Sequence, residues 1–144
     1  GSRIAFNNPD TNGAIVGLTF ATGRPELVRG ILEGVAFEIE YMARRMREDG
    51  FRISELVAVG GGSRSKLWLQ IMADVLNVPI FSTESSDVAA VGAAMLAAEK
   101  RGMELDPGML RIRDQFHPDR ELLEIYAAKL ERFRSAYQSL KALS

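Results

Sequence analysis

The chain has 144 residues and a formal net charge of −1, so its charge balance marks neither nucleic acid nor an anionic membrane as a partner. Apolar residues make up 47% and charged residues 26%, the balance of one globular domain with a core rather than of a disordered segment. There is no cysteine, which excludes disulfides and thiolate metal sites and fits a cytoplasmic location, and no apolar run approaches the roughly 20 residues of a membrane span.

Residues 1–12 are polar and turn-rich, with Asn7-Asn8-Pro9-Asp10 ahead of Asn12-Gly13, and read as loop. Ala14-Ile15-Val16-Gly17-Leu18 is a short apolar run suited to a buried strand. Pro25 near a first helical position and Glu26 against the positive end of the dipole mark a helix start after Thr22-Gly23. That helix is expected to run to about Glu48, with Val28, Ile31, Leu32, Val35, Ile39, Met42 and Met46 at spacings of three and four forming its apolar face. Asp49-Gly50 ends it.

Glu55 to Val59 reads as the next strand and leads straight into Gly60-Gly61-Gly62. A helix from about Ser65 to Leu76 follows, with Leu67, Ile71 and Val75 on one face, and then a short strand at Pro79-Ile80-Phe81. Ser85-Ser86-Asp87 caps a helix from Val88 to Arg101, whose Ala89, Ala90, Gly92, Ala93, Ala94, Ala97 and Ala98 permit close approach to a neighbour. Residues 102–117 read as irregular, and Pro118 to Leu140 as a long last helix with a narrow stripe of Leu123, Tyr126, Leu130, Phe133, Tyr137 and Leu140. Strands alternating with helices predict an α/β fold, with a short core of parallel strands joined by crossover helices.

The segment that carries chemistry is Gly60-Gly61-Gly62-Ser63-Arg64-Ser65, between a strand and a helix. Ligands of open α/β sheets bind beyond the carboxyl ends of strands. Glycines there permit unusual backbone angles and close approach, and the following helix offers free N–H groups and a positive dipole end. The pattern suits a nucleotide or another anion. It equally suits a tight turn without a ligand. It lacks the Gly-Lys-Ser/Thr of a phosphate-cradling loop, and Ser65 stands where a dinucleotide fingerprint has its third glycine.

With its flanks the segment says more. Val57-Ala58-Val59-Gly60-Gly61-Gly62-Ser63-Arg64-Ser65, then Trp68, Gln70 and Ala73-Asp74, resembles the adenosine-binding segment of the FGGY carbohydrate kinases, as does Val88-Ala89-Ala90-Val91-Gly92-Ala93-Ala94. Gly17-Leu18-Thr19 and Leu32-Glu33-Gly34-Val35-Ala36-Phe37-Glu38 resemble the strand and long helix that precede it in that family. The resemblance covers about residues 1–100. It implies part of an actin-like/ribonuclease H-like ATPase domain: residues 1–144 as a partial C-terminal nucleotide-binding domain, with the catalytic N-terminal domain absent. It implies ATP as cosubstrate, with Mg²⁺ carried by the nucleotide, and a sugar held through the missing domain. Gly61 and Gly62 would pack their backbone on the nucleotide, Ser65 would offer a polar contact near adenine, and Gly60 would shape the turn. No residue stands as catalytic base, so the fragment is expected to be inactive alone. Within the family the glycine stretch with Trp68 and Gln70 most resembles the xylulokinases, with gluconokinases and other pentulose kinases close to them.

Near where the family usually shows Gly-Glu-Arg-x-Pro stands Gly1-Ser2-Arg3-Ile4-Ala5: either the glutamate and proline are replaced, or Gly1-Ser2 is a vector remnant that mimics the glycine. His117, the one histidine, precedes Pro118 and reads as a helix-entry residue, and Trp68 reads as packing. Glu84 with Asp87, and Asp119 with Glu121, sit at helix starts and favour the dipole. Apolar surface left bare by the absent domain points to self-association, as in a homodimer. Two other readings compete: a module that keeps the fold without catalysis, and a Rossmann-like protein, the latter opposed by the missing third glycine.

Overall fold

Gly23 and Glu26 start the first helix. In the computed structural model, which describes residues 13–84, 87–103 and 111–141, the Gly23 N–H donates to Glu26 Oε2 at 3.0 Å and Pro25 lies in the first turn of α1 (Arg24–Glu48). The helix ends where Gly50, at φ +91°, turns the chain and the Phe51 N–H donates back to the Met46 carbonyl at 2.9 Å.

The face that α1 buries is not the one its periodicity predicts. Glu33, Ala36, Phe37, Glu40 and Ala43 are buried, with Leu32 and Ile39 partly so, whereas Val28, Ile31, Val35 and Met46 lie exposed. The small Ala36 and Ala43 let α1 approach its neighbour closely. Glu33 and Glu40 tolerate burial because each meets cations. Arg29 Nε and Lys129 Nζ both donate to Glu33 at 2.9 Å, and Tyr126 Oη donates to it at 3.1 Å. Arg47 Nη1 donates to Glu40 at 2.8 Å, and its other nitrogen to the Leu76 carbonyl at 3.3 Å. Burial works against the Glu33 carboxylate, but hydrogen bonds from Lys129 and Arg29 outweigh it and hold the pKa below its ordinary range. Burial of Glu40 wins over Arg47 and pushes that carboxyl up.

The sheet has three strands in the order β1 (Leu56–Ala58), β2 (Ile80–Thr83), β3 (Ile112–Phe116). β1 and β2 pair in parallel, Leu56 opposite Ile80 and Ala58 opposite Ser82, as a crossover helix requires. β3 comes from the segment read as irregular and runs antiparallel, with Phe116 opposite Ile80, Asp114 opposite Ser82 and a bulge between Ser82 and Thr83. The sheet is therefore mixed, not wholly parallel. Ile-Arg-Asp-Gln-Phe shows no sustained apolar alternation because the strand lies at an edge with most side chains in solvent. Ala14–Leu18, expected as a strand, is not one: it is exposed and without regular secondary structure, and no strand among the described residues pairs with it. An apolar run becomes a strand only where a neighbour takes its backbone hydrogen bonds.

The crossover is α2 (Lys66–Leu76), packed between the sheet and α1. Leu69, Ile71, Ala73, Val75 and Leu76 are buried in it, while Leu67, expected inside, is exposed. Asn77 ends it in the left-handed region at φ +51°, which asparagine tolerates. α3 (Val88–Glu99) is capped by Asp87, whose Oδ1 accepts from the Ala90 N–H at 3.1 Å; the flanking 85–86 lie outside the described residues. Val91 and Ala98 are buried there, and the small residues between them mostly face solvent. A 3₁₀ turn at Arg120–Leu122 leads into α4 (Leu123–Lys141), which lays Tyr126, Leu130 and Phe133 on the core. The Phe133 ring sits 5.5 Å from that of Phe37. The loop expected over residues 1–12 lies outside the described residues.

Candidate functional site

The turn after β1 is built by its glycines in three different ways. Gly60 has φ +77°, a region closed to most side chains, and turns the chain off the strand. Its carbonyl then accepts twice, from the Ser63 N–H at 3.1 Å and from Ser63 Oγ at 2.8 Å, and Ser63 is almost wholly buried. Gly61 through Arg64 form a 3₁₀ turn, closed by the Ser65 N–H on the Gly62 carbonyl at 3.2 Å. A Cβ on Gly61 would meet nothing within 4 Å. A Cβ on Gly62 would lie 2.9 Å from Trp68 Cζ3. Bareness at Gly61 thus leaves a solvent-facing backbone open to close approach, while bareness at Gly62 makes room for the indole. Trp68 does pack, and its Nε1 is buried without a hydrogen-bond partner among the described residues.

Ser65 is the N-cap of α2: its Oγ accepts from the Trp68 N–H at 3.3 Å, and its own O–H remains able to donate outward. Helix geometry leaves the N–H groups of Lys66 and Leu67 without intrahelical acceptors. Gly60, Gly61, Gly62 and Ser65 are accordingly brought together at the carboxyl end of β1, where a strand, a glycine turn and a helix N-terminus converge.

Residues with no sequence signal support this turn from behind. Arg113, on β3, donates from Nη2 to the Ser63 carbonyl at 3.0 Å and to Ser82 Oγ at 3.3 Å, and from Nε to Asp114 Oδ2 at 2.8 Å. Ser82 Oγ donates to the same Asp114 oxygen at 3.3 Å, and Lys66 Nζ lies 3.3 Å from the other. The hydrogen bond from Arg113, with that from Lys66, holds the Asp114 carboxyl below its ordinary range. Only a legible β3 could have pointed to Arg113 and Asp114.

The remaining candidates have structural work. The His117 carbonyl accepts from Gln70 Nε2 at 2.8 Å, Asp119 caps the 3₁₀ turn through the Glu121 N–H, and Asp74 accepts from the Asp119 N–H at 3.0 Å. A cavity of about 580 Å³ at the far end of α2 is lined by Glu40, Arg47, Asp74 and Tyr126 among others. Those four groups already bond one another or their neighbours, so the glycine turn is the stronger site. Among the described residues no group of three or more His, Asp or Glu side chains could hold a metal ion.

A parallel strand, a glycine turn and a helix start form one α/β unit, and comparison with known proteins gives the family to which that unit belongs. Residues 1–100 match the family model for the C-terminal domain of the FGGY family of carbohydrate kinases, and the chain belongs to that family. It is 34% identical over 149 residues to the xylulose kinase of Escherichia coli K12, covering 99% of this chain and 31% of that protein. The crystal structure of the xylulose kinase from Rhodospirillum rubrum superimposes with a TM-score of 0.84 at 30% identity, over 95% of this chain and 29% of that one. The Plasmodium falciparum glycerol kinase, solved with ADP, gives 0.77 at 26% identity, over 91% and 27%. The fold is part of the actin-like/ribonuclease H-like ATPase architecture of these kinases, and the chain spans less than a third of the length of the relatives it matches.

Proposed function

We propose that this chain is the ATP/ADP-binding portion of a cytoplasmic sugar kinase that transfers the γ-phosphoryl group of ATP to a sugar hydroxyl, with D-xylulose as the sugar. The observation that carries the reading is the exposed backbone at Gly61, open at the carboxyl end of β1 and held from behind. Similarity to xylulose kinases over nearly the whole chain supports the choice of sugar. The relative solved with ADP supports the nucleotide.

In this reading Gly60 sets the turn, the backbone of Gly61 and Gly62 lies along the nucleotide, and the Ser65 hydroxyl donates toward the base. ATP supplies the phosphoryl group and brings Mg²⁺ with it. The chain's part is to bind and orient, which is most of what phosphoryl transfer asks of a protein. No side chain at the turn is placed as a base toward an attacking hydroxyl, so turnover needs the sugar-binding remainder of the kinase. The exposed stripe of Val28, Ile31 and Val35 on α1, with Val57 and Val59 beside the turn, is the kind of surface such a remainder would cover, or a second copy in its absence.

Titration with ADP and with NAD, followed by amide NMR, tests the site. Shifts centred on Gly60, Gly61, Gly62 and Ser65 with ADP, and none with NAD, are expected. Absence of any ADP response at millimolar concentration would sink the reading for this chain.

A further inference from the structure

We infer that Arg113 is a positioning residue for the nucleotide turn: it does not touch the ligand but fixes, through the Ser63 carbonyl, the backbone shape on which the ligand is received. The inference rests on the nucleotide reading above.

Three consecutive glycines make the segment the most conformationally free stretch of the chain before folding. Something must hold it in one shape if it is to bind without a large ordering cost. Two of the holds are local, Ser63 on the Gly60 carbonyl and Ser65 on the Gly62 carbonyl. The third comes from a residue 50 positions away, the Arg113 guanidinium on the Ser63 carbonyl at 3.0 Å. That guanidinium is itself fixed. Asp114 Oδ2 takes its Nε at 2.8 Å, and Ser82 Oγ, buried in the central strand, takes its Nη2 at 3.3 Å. A planar fork satisfied on two sides can deliver the third hydrogen bond in one direction only. The group it holds is the carbonyl of Ser63, the residue whose own N–H and Oγ both bond the Gly60 carbonyl, so a tilt there is passed back through Ser63 to Gly61 and Gly62.

The test uses Arg113→Met, which keeps the length of the stem without donors, and Arg113→Lys, which keeps the charge beside Asp114 but not the fork. Hydrogen exchange is followed at the Ser63 and Ser65 amides, and ADP affinity by titration. The expected result is exchange at those two amides faster by about tenfold and ADP affinity lower by about tenfold in Arg113→Met, the loss of one charge-assisted hydrogen bond. Exchange at the core amides of Leu69 and Ile71 should stay as in the parent chain. Arg113→Lys should melt like the parent and still lose most of the affinity. Parent-like ADP affinity in either variant overturns the role of Arg113, as does unaltered exchange at Ser63 and Ser65. A parent chain that gives no ADP response overturns the nucleotide reading itself, and the role of Arg113 falls with it.

Discussion

Trp68 leans on Gly62 so closely that a methyl group added there would come within 2.9 Å of the indole, while one residue earlier Gly61 faces open space. Two adjacent glycines therefore answer to different demands, one internal and one external. Gly62→Ala should cost about 1–3 kcal/mol, because the indole must move or the turn must. Gly61→Ala should leave stability within about 0.5 kcal/mol of the parent yet weaken ADP binding. The chain's single tryptophan is the reporter: urea unfolding followed by its fluorescence reads the first effect, and ADP titration the second.

The two faces of α1 give a sharper contrast. Ile31 is 56% exposed and Phe37 6% exposed, although periodicity places Ile31 in the core. Ile31→Ala should change the stability of this chain by no more than about 0.5 kcal/mol. Phe37→Ala should remove about 3–5 kcal/mol, since the ring packs against Tyr126 and Phe133. Denaturant midpoints of the two variants would settle which stripe is buried, and equal losses would mean that α1 is rotated from the arrangement described.

Glu33 should stabilise the fold in a pH-dependent way. Its folded-state pKa lies below its ordinary value, so its contribution is complete above the ordinary carboxylate range and is lost as pH falls through the folded-state pKa. Glu33→Gln should lower the melting temperature at neutral pH, and the gap from the parent should close as pH falls below the ordinary carboxylate range. A gap that persists unchanged in acid would show that packing, not charge, is what the substitution removes.

Glu40 should behave in the opposite sense. Its folded-state pKa is raised by burial, so its ionised form is a burden at neutral pH that is relieved as pH falls through the folded-state value. Glu40→Gln should accordingly stay within about 1 kcal/mol of the parent at neutral pH, because a neutral group of the same shape escapes the desolvation cost while Arg47 keeps the Leu76 carbonyl. Thermal melts of Glu33→Gln and Glu40→Gln, side by side, should diverge most at neutral pH.

The parts legible in the sequence are those set by local chemistry. Pro25 and Glu26 begin α1, Asp87 caps α3, and Gly60 to Ser65 form the turn they suggest, because each is decided within a few residues. The misreadings all concern surfaces decided elsewhere. Ala14–Leu18 has the composition of a strand but no strand beside it. The apolar stripe of α1 and Leu67 of α2 are hydrophobic without being covered in this chain, so their spacing signals burial that the described residues do not supply. β3 fails in the reverse direction: it is a strand because β2 pairs with it, although its side chains show no strand pattern. The candidate site divides the same way, its glycines and Ser65 visible and its supporting Arg113 hidden.

The hydrogen bond from Arg113 to Ser63 spans 50 residues, and the strand that secures the turn lies beyond residues 1–100, the stretch that the family model matches. Long sequence separation delays a contact, because the intervening chain must be closed before the contact gives anything back. The glycine turn should thus be among the last parts of the molecule to set during folding, after α1 and α2 have packed. A chain trimmed to residues 1–100 would carry every glycine of the turn and still present it slack.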